Sequence, residues 1–145
     1  MRVMLVDDSA IIRGIMRRWI DAERGLDVVA SAINGQEAIV EAKRVQPDII
    51  ILDLEMPVLS GMEALPELRK VCENAKVLIA STLTTRNARA SLAAMRAGAT
   101  DYLAKPDAAT PRDVFRVQLL EKLHALGGER DAMCGAESGQ VVGLS

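Results

Sequence analysis

With 145 residues, half of them hydrophobic and about a quarter charged, the chain suits one globular domain with a substantial core. Its formal net charge of −2 does not suggest binding to nucleic acid or a membrane, and no apolar run reaches the ~20 residues of a membrane span. The single histidine, His124, excludes a histidine-rich metal site. The widely spaced Cys72 and Cys134 indicate free thiols in a reducing cytoplasm, and the strand pattern at the N-terminus indicates no signal peptide.

Five apolar runs alternate with five helical patterns along the chain. The predicted strands are residues 2–6, 26–33, 49–53, 77–80 and 100–104. The predicted helices are residues 10–21, 36–45, 62–72, 86–97 and 111–126. Five successive β-α units predict an α/β fold of the doubly wound (βα)5 kind, with a parallel sheet and helices on both faces.

Pro66 lies inside the third predicted helix. A proline in a helix interior costs about 3 kcal/mol because it removes a backbone hydrogen bond, whereas the first turn tolerates it. We therefore expect this helix to begin near Glu63 or Ala64.

The last helical pattern carries an apolar stripe that we expect to face the core: Val114, Val117, Leu120, Leu123 and Leu126. Gly127 and Gly128 follow, and no sustained periodicity continues beyond them. These features predict a domain of residues 1–126 and then a linker or flexible tail, residues 127–145.

Polar side chains stand at the ends of four predicted strands. Asp7 and Asp8 follow the first strand, Asp53 ends the third, Ser81 follows the fourth and Lys105 follows the fifth. Because the carboxyl ends of parallel strands meet at one edge, we expect these side chains to lie together. Ionised carboxylates at close range repel one another, and a hard divalent cation such as Mg²⁺ would offset that repulsion. A carboxylate beside a cation, an ammonium and a hydroxyl suits phosphoryl transfer, with Asp53 as the nucleophile.

Each of these residues also has an ordinary structural explanation. Asp7 and Asp8 could favour the positive end of a helix dipole, Asp53 could begin a turn, and Ser81 could cap a loop. Most lysines are simply solvated, the seven methionines suit core packing, and His124 suits a surface charge better than a phosphate carrier. The coincidence of the polar residues at successive strand ends favours the chemical interpretation.

Together with Met56-Pro57, Gly61, Tyr102 and Lys105-Pro106, these residues resemble the signature of receiver domains of two-component response regulators. The resemblance covers about residues 1–126. It implies a flavodoxin-like fold with strand order 2-1-3-4-5. It also implies Mg²⁺-dependent phosphorylation by a histidine kinase, with Asp53 as the phosphoacceptor.

The same resemblance implies roles for the other residues of the sheet edge. Asp8 and Asp53 would bind Mg²⁺ through their side chains and Glu55 through its backbone carbonyl, with Asp7 acting mainly through water. Ser81 and Lys105 would contact the phosphoryl group. Ser81 and Tyr102 would also be the moving parts of a switch.

The resemblance further implies a cis peptide bond between Lys105 and Pro106, because that turn would aim the lysine at the phosphoryl group.

A closer resemblance is carried by residues 53–57 (DLEMP), the run STLTTRN at residues 81–87 and the run GATDY at residues 98–102. These segments are similar to the receiver of the chemotaxis protein-glutamate methylesterase. That resemblance implies a chemotaxis-type histidine kinase and a C-terminal methylesterase effector domain as partners. The chain lacks the Ser/His/Asp site of such a hydrolase, so we do not expect it to hydrolyse esters by itself.

Three other functions are open at this point. A stand-alone response regulator acting on a kinase or motor would need no effector domain. A haloacid-dehalogenase-like phosphatase would have a second acid two residues after its nucleophile, a spacing that Glu55 meets, but it would also have a cap domain. A flavin carrier of the same fold would place a phosphate beside Asp7 and Asp8, which would repel it.

Overall fold

The structure, a computed structural model, describes residues 1–82, 84–107 and 111–137. Its strands are β1 (Arg2–Val6), β2 (Asp27–Ala32), β3 (Ile49–Asp53), β4 (Lys76–Ser81) and β5 (Asp101–Ala104). Its helices are α1 (Ala10–Asp21), α2 (Gly35–Val45), α3 (Gly61–Val71), α4 (Thr85–Arg96) and α5 (Arg112–Glu137). All strand pairs are parallel, in the order β2-β1-β3-β4-β5. The predicted doubly wound (βα)5, flavodoxin-like fold is therefore confirmed.

Strand β3 lies at the centre of the sheet because it is apolar towards both faces. All five of its residues are buried. Ile50 and Leu52 belong to the core formed with α2, α3 and α4, whereas Ile49 and Ile51 belong to the core formed with α1 and α5. Side chains alternate between the two faces of a strand, so one continuous apolar run supplies both cores.

Helix α3 begins next to the end of β3. A capping box fixes its start, since the Ser60 hydroxyl accepts from the Glu63 N–H and the Glu63 carboxylate accepts from the Ser60 N–H. A Cβ at Gly61 would lie 2.1 Å from the backbone oxygen of Asp53, so only glycine allows this close approach. The predicted start near Glu63 or Ala64 is wrong, since the helix begins at Gly61 behind this capping box, and Pro66 lies inside the helix on its exposed side.

Helix α5 buries a different stripe from the predicted one. Its buried apolar side chains are Phe115, Leu119, Leu123 and Leu126, whereas Val114 and Val117 are 42% and 48% exposed. Both stripes have helical spacing, but Phe115 buries a larger side chain and packs edge-to-face on Trp19, with ring centroids 5.8 Å apart. The prediction was therefore correct for Leu123 and Leu126 and wrong for the two valines.

The C-terminal helix also continues past the glycine pair, to Glu137. Gly127 is buried against Met1, and a Cβ there would lie 2.8 Å from the Met1 sulfur atom. The division into a domain of residues 1–126 and a linker or tail stays a prediction. Residues 138–145 lie outside the described residues, and so does the side chain of Cys134; Cys72 is a buried free thiol.

None of the helices described is long and apolar enough to cross a membrane.

Candidate functional site

The sheet register brings the predicted site residues to one edge. In the pairing of β1 with β3, Asp7 follows the last pair and stands level with Asp53. In the pairing of β4 with β5, the last pair is Ser81 with Ala104, directly before Lys105. The carboxyl ends of β1, β3, β4 and β5 therefore converge on one site.

Three carboxylates share a small volume at this edge. Asp7, Asp8 and Asp53 each place an oxygen within 4.8 Å of the other two. Asp7 and Asp53 are buried and Asp8 is exposed. The Ser9 N–H donates to Asp7 Oδ1 at 2.9 Å, and the Glu55 N–H donates to Asp53 Oδ1 at 3.2 Å. These backbone donors hold the two buried carboxylates in place.

Lys105 joins the two buried acids. Its Nζ lies 2.8 Å from Asp7 Oδ2 and 3.1 Å from Asp53 Oδ1, and its side chain is only 12% exposed. The predicted cis bond before Pro106 is wrong, since the Lys105–Pro106 peptide is trans. The Lys105 N–H donates to the Ser81 carbonyl at 2.9 Å, so sheet pairing sets the course of the backbone and the lysine reaches both acids without a cis bond.

The local electrostatics oppose ionisation of the central acid. Burial raises the pKa of Asp53 to about 6, the Lys105 charge opposes that rise, and the Asp7 charge reinforces it. Burial by itself lowers the pKa of Lys105, but its close contacts and charge interactions with Asp7 and Asp53 outweigh burial and raise that pKa. Three carboxylates thus face one ammonium, which leaves an excess of negative charge.

The donor set fits a hard divalent cation. The clustered side-chain donors are all carboxylate oxygens, which Mg²⁺ prefers. Asp7 Oδ2 is buried and, although the Lys105 charge is close, it accepts no hydrogen bond of good geometry among the described residues. A cation here would offset the excess charge, and water bound to the cation would supply a hydrogen-bond donor to that oxygen.

Ser81 and Tyr102 stand beside the acidic cluster on the α4 side. The Ser81 hydroxyl is buried and lies 3.3 Å from the Ser91 hydroxyl of α4. Tyr102 points outward and is 52% exposed. Both residues line a cavity of about 240 Å³ between α4 and β5. The tyrosine therefore has a partly open cavity beside it into which it could turn.

Sequence reasoning missed two polar residues on the buried side of α4. Asn87 is 3% exposed, and its Nδ2 donates to the Thr82 hydroxyl at 2.8 Å, the Thr82 carbonyl at 3.1 Å and the Glu55 carboxylate at 3.2 Å. A carbonyl and a carboxylate can only accept, so the amide nitrogen must face them. Ser91 lies one turn further along the same side of the helix. Their spacing of four residues was the available signal, but it resembled an ordinary polar helix face.

Comparison with known protein families identifies the family of the domain that carries this site. Residues 3–112 match the family described as "Response regulator receiver domain". Two relatives are protein-glutamate methylesterases/protein-glutamine glutaminases. The one from Rhodopseudomonas palustris (strain BisB5) is 45% identical over 89% of this chain and 34% of its own length. The one from Rhodospirillum centenum, of its group 2 operon, is 50% identical over 87% of this chain and 33% of its own length.

Comparison of the fold with solved structures gives the same result. The crystal structure of the response regulator domain of Thermotoga maritima CheB superposes with a TM-score of 0.78 at 38% identity, covering 87% of this chain and 95% of that one. The present chain spans about a third of the length of the methylesterase relatives that it matches. The matched third is the receiver part of those proteins. The chain therefore belongs to the response regulator receiver domain family, and within it resembles the regulatory domain of the chemotaxis methylesterase CheB.

Proposed function

We propose that the chain is a phosphorylation-controlled switch in which Asp53 accepts a phosphoryl group from a chemotaxis-type histidine kinase. The observation that carries this proposal is the position of the Asp53 carboxylate, buried at the end of the central strand and 3.1 Å from Lys105. In the transfer, an Asp53 oxygen bonds to phosphorus while the bond from phosphorus to the histidine nitrogen breaks. With a pKa of about 6, Asp53 is mostly ionised at neutral pH and able to attack.

We assign a Mg²⁺ site to the acidic cluster. Asp8 and Asp53 would hold the ion by their side chains and Glu55 by its carbonyl, with Asp7 acting through water. The bound ion would offset negative charge on the carboxylates and on the phosphoryl oxygens. Lys105 supplies a second positive charge from the protein itself. Because it already lies between Asp7 and Asp53, it needs little movement to donate to a phosphoryl oxygen.

Ser81 and Tyr102 convert phosphorylation into a change of surface. A phosphoryl oxygen on Asp53 offers the Ser81 hydroxyl a charged acceptor, which binds it more strongly than a neutral hydroxyl does. Movement of Ser81 frees part of the cavity beside it, and Tyr102 turns inward. The altered surface is formed by α4, β5 and α5, and the phosphoryl group favours one of its two states.

We propose a cytoplasmic methylesterase domain as the effector of this switch. Support comes from the methylesterase relatives, of which the chain spans about a third. The unphosphorylated receiver covers the hydrolase site, and phosphorylation loosens that contact because the two receiver states differ in affinity for the effector. Added to a separately expressed methylesterase domain, the receiver should inhibit it until Asp53 is phosphorylated. Esterase activity that ignores the receiver would favour a stand-alone regulator of a kinase or motor.

The direct test is labelling of Asp53. Acetyl phosphate should add one phosphoryl group to the peptide that contains Asp53, as measured by mass spectrometry. The label should disappear in Asp53→Asn and after removal of divalent ions with EDTA. Equal labelling in either case would contradict the proposal, and sustained phosphate release with turnover would indicate a phosphatase instead.

A further inference from the structure

The Ser81 hydroxyl has a defined partner in the resting protein. Its oxygen lies 3.3 Å from the Ser91 hydroxyl, and the two residues are 7% and 6% exposed. Water competes poorly with a contact that is buried to this degree. The same hydroxyl is the group that must turn towards Asp53 when a phosphoryl oxygen appears there. Ser91 therefore holds the group that must move when the switch operates.

We infer that Ser91 is a positioning residue that retains the Ser81 hydroxyl in the resting state and so sets how readily the switch responds. This inference rests on the proposed phosphorylation of Asp53. Either hydroxyl can be the donor in the resting contact, and in both cases a Ser81 hydroxyl that turns towards a phosphoryl oxygen on Asp53 moves away from Ser91. The resting contact and the phosphorylated contact therefore compete for the same hydroxyl.

The rest of α4 fixes the position of Ser91. Asn87 lies four residues earlier on the same side of the helix and donates to the carbonyl and hydroxyl of Thr82, the residue after Ser81. The Asn87 N–H also donates to the Thr84 hydroxyl that caps the helix, at 3.0 Å. The first turn of α4 is thus tied to the strand end that carries Ser81. These hydrogen bonds therefore keep the start of α4, and with it Ser91, in place beside Ser81.

The contact is weak enough to be exchanged. Both hydroxyls are neutral, and 3.3 Å is long for a hydrogen bond between hydroxyl oxygens. After Ser81 leaves, the Ser91 hydroxyl can donate to the backbone carbonyl four residues earlier, as helical serines commonly do. Loss of one neutral hydrogen bond from the resting state should shift the switch equilibrium about two- to tenfold.

Substitutions at Ser91 distinguish the effect of its hydroxyl group from the effect of side-chain packing. Ser91→Ala removes the hydroxyl, while Ser91→Thr and Ser91→Val form a matched pair of equal branching that differs in the hydroxyl alone. The chain has a single tyrosine, so 3-fluorotyrosine places one fluorine reporter on Tyr102. Beryllofluoride with Mg²⁺ serves as the stand-in for the phosphoryl group. Fluorine NMR then measures the inward population of Tyr102 and the apparent affinity for beryllofluoride.

We expect Ser91→Ala and Ser91→Val to bind beryllofluoride about two- to tenfold more tightly than wild type and to react correspondingly faster with acetyl phosphate. Ser91→Thr should stay within about twofold of wild type on the same basis. Unchanged or weaker binding in Ser91→Ala, or equal behaviour of the threonine and valine variants, would overturn the role of Ser91. A wild-type protein that does not respond to beryllofluoride would instead refute the phosphorylation switch itself, and the role of Ser91 with it.

Discussion

Helices α4 and α5 lie on either side of β5, yet they are attached to the sheet in different ways. Helix α5 inserts large apolar side chains that are almost fully buried: Phe115, Leu119, Leu123 and Leu126. Among the described side chains of α4, the buried ones are small or polar: Asn87, Ser91 and Ala94. Since burial of apolar area stabilises a packed element by about 25 cal/mol per Å², α5 gains far more from docking than α4 does.

This difference suits a switch, which needs one fixed element and one that can move. Elements with little buried apolar area open at low cost in free energy. The cavity of about 240 Å³ between α4 and β5 leaves further room on the α4 side. We therefore expect apolar packing to hold α5 through the signalling cycle, while exchangeable polar contacts hold α4 and the neighbouring acidic site.

The largest expected effect is loss of the α5 anchor. Phe115→Ala should lower the free energy of unfolding by about 3–5 kcal/mol, because Phe115 is fully buried and the truncation leaves a cavity beside Trp19. Urea unfolding followed by circular dichroism measures the loss. The matched control is Val117→Ala on the exposed side of the same helix, for which we expect a change within about 0.5 kcal/mol. Similar losses for both variants would mean that α5 is not anchored by its buried stripe.

The acidic site should give the next largest effect, in the opposite direction. Folding raises the pKa of Asp53 from its ordinary 3.8 to about 6, so the unfolded chain releases this proton first as the pH rises. Stability is therefore lost as the pH rises from about 4 to about 6, by an amount on the order of 3 kcal/mol. The neutral Asp53→Asn avoids this loss. In EDTA at pH 7.5 we expect it to be about 1–3 kcal/mol more stable than wild type, measured by urea unfolding.

Two controls identify the cause of that stabilisation. Well below the ordinary pKa of 3.8, the difference between Asp53→Asn and wild type should vanish, because the wild-type carboxyl is then protonated in both the native and the unfolded state. Added Mg²⁺ should narrow the difference at pH 7.5, since a ligand that binds the native state stabilises it. A variant that gains as much stability at pH 4 as at pH 7.5 would point to packing and not to charge.

The sequence predicts the acidic site better than it predicts the contacts of α4. Asp7, Asp53 and Lys105 each directly follow or end an apolar strand, so their meeting follows from parallel pairing alone. The contacts of Asn87 with Glu55 and of Ser81 with Ser91 join residues that are 32 and 10 positions apart. They depend on how α4 docks, and no local pattern encodes that.

The start of α3 and the buried stripe of α5 differ in the same way in how far the sequence predicts them. The Ser60–Glu63 capping box is a local motif that sequence alone could have indicated, although Pro66 favoured a later start. The choice between the Val114–Val117 and Phe115–Leu119 stripes of α5 is different, because both have helical spacing. It depends on contact with Trp19, which belongs to another helix. Motifs within one segment were therefore predictable in principle, and choices made between segments were not.

The smallest expected effect isolates the polar attachment of α4. Asn87→Ala removes the donor to Thr82 and Glu55 and leaves the part-buried Thr82 carbonyl without this hydrogen bond. We expect about 1–2 kcal/mol of local destabilisation, seen as faster amide hydrogen exchange along α4 with unchanged protection in α5. The control is Leu92→Ala. Leu92 is 59% exposed on α4, so this change should leave the exchange rates of both helices unchanged. If Asn87→Ala accelerates exchange in α4 and α5 equally, the two helices open as one unit and the proposed division between a fixed and a mobile helix is wrong.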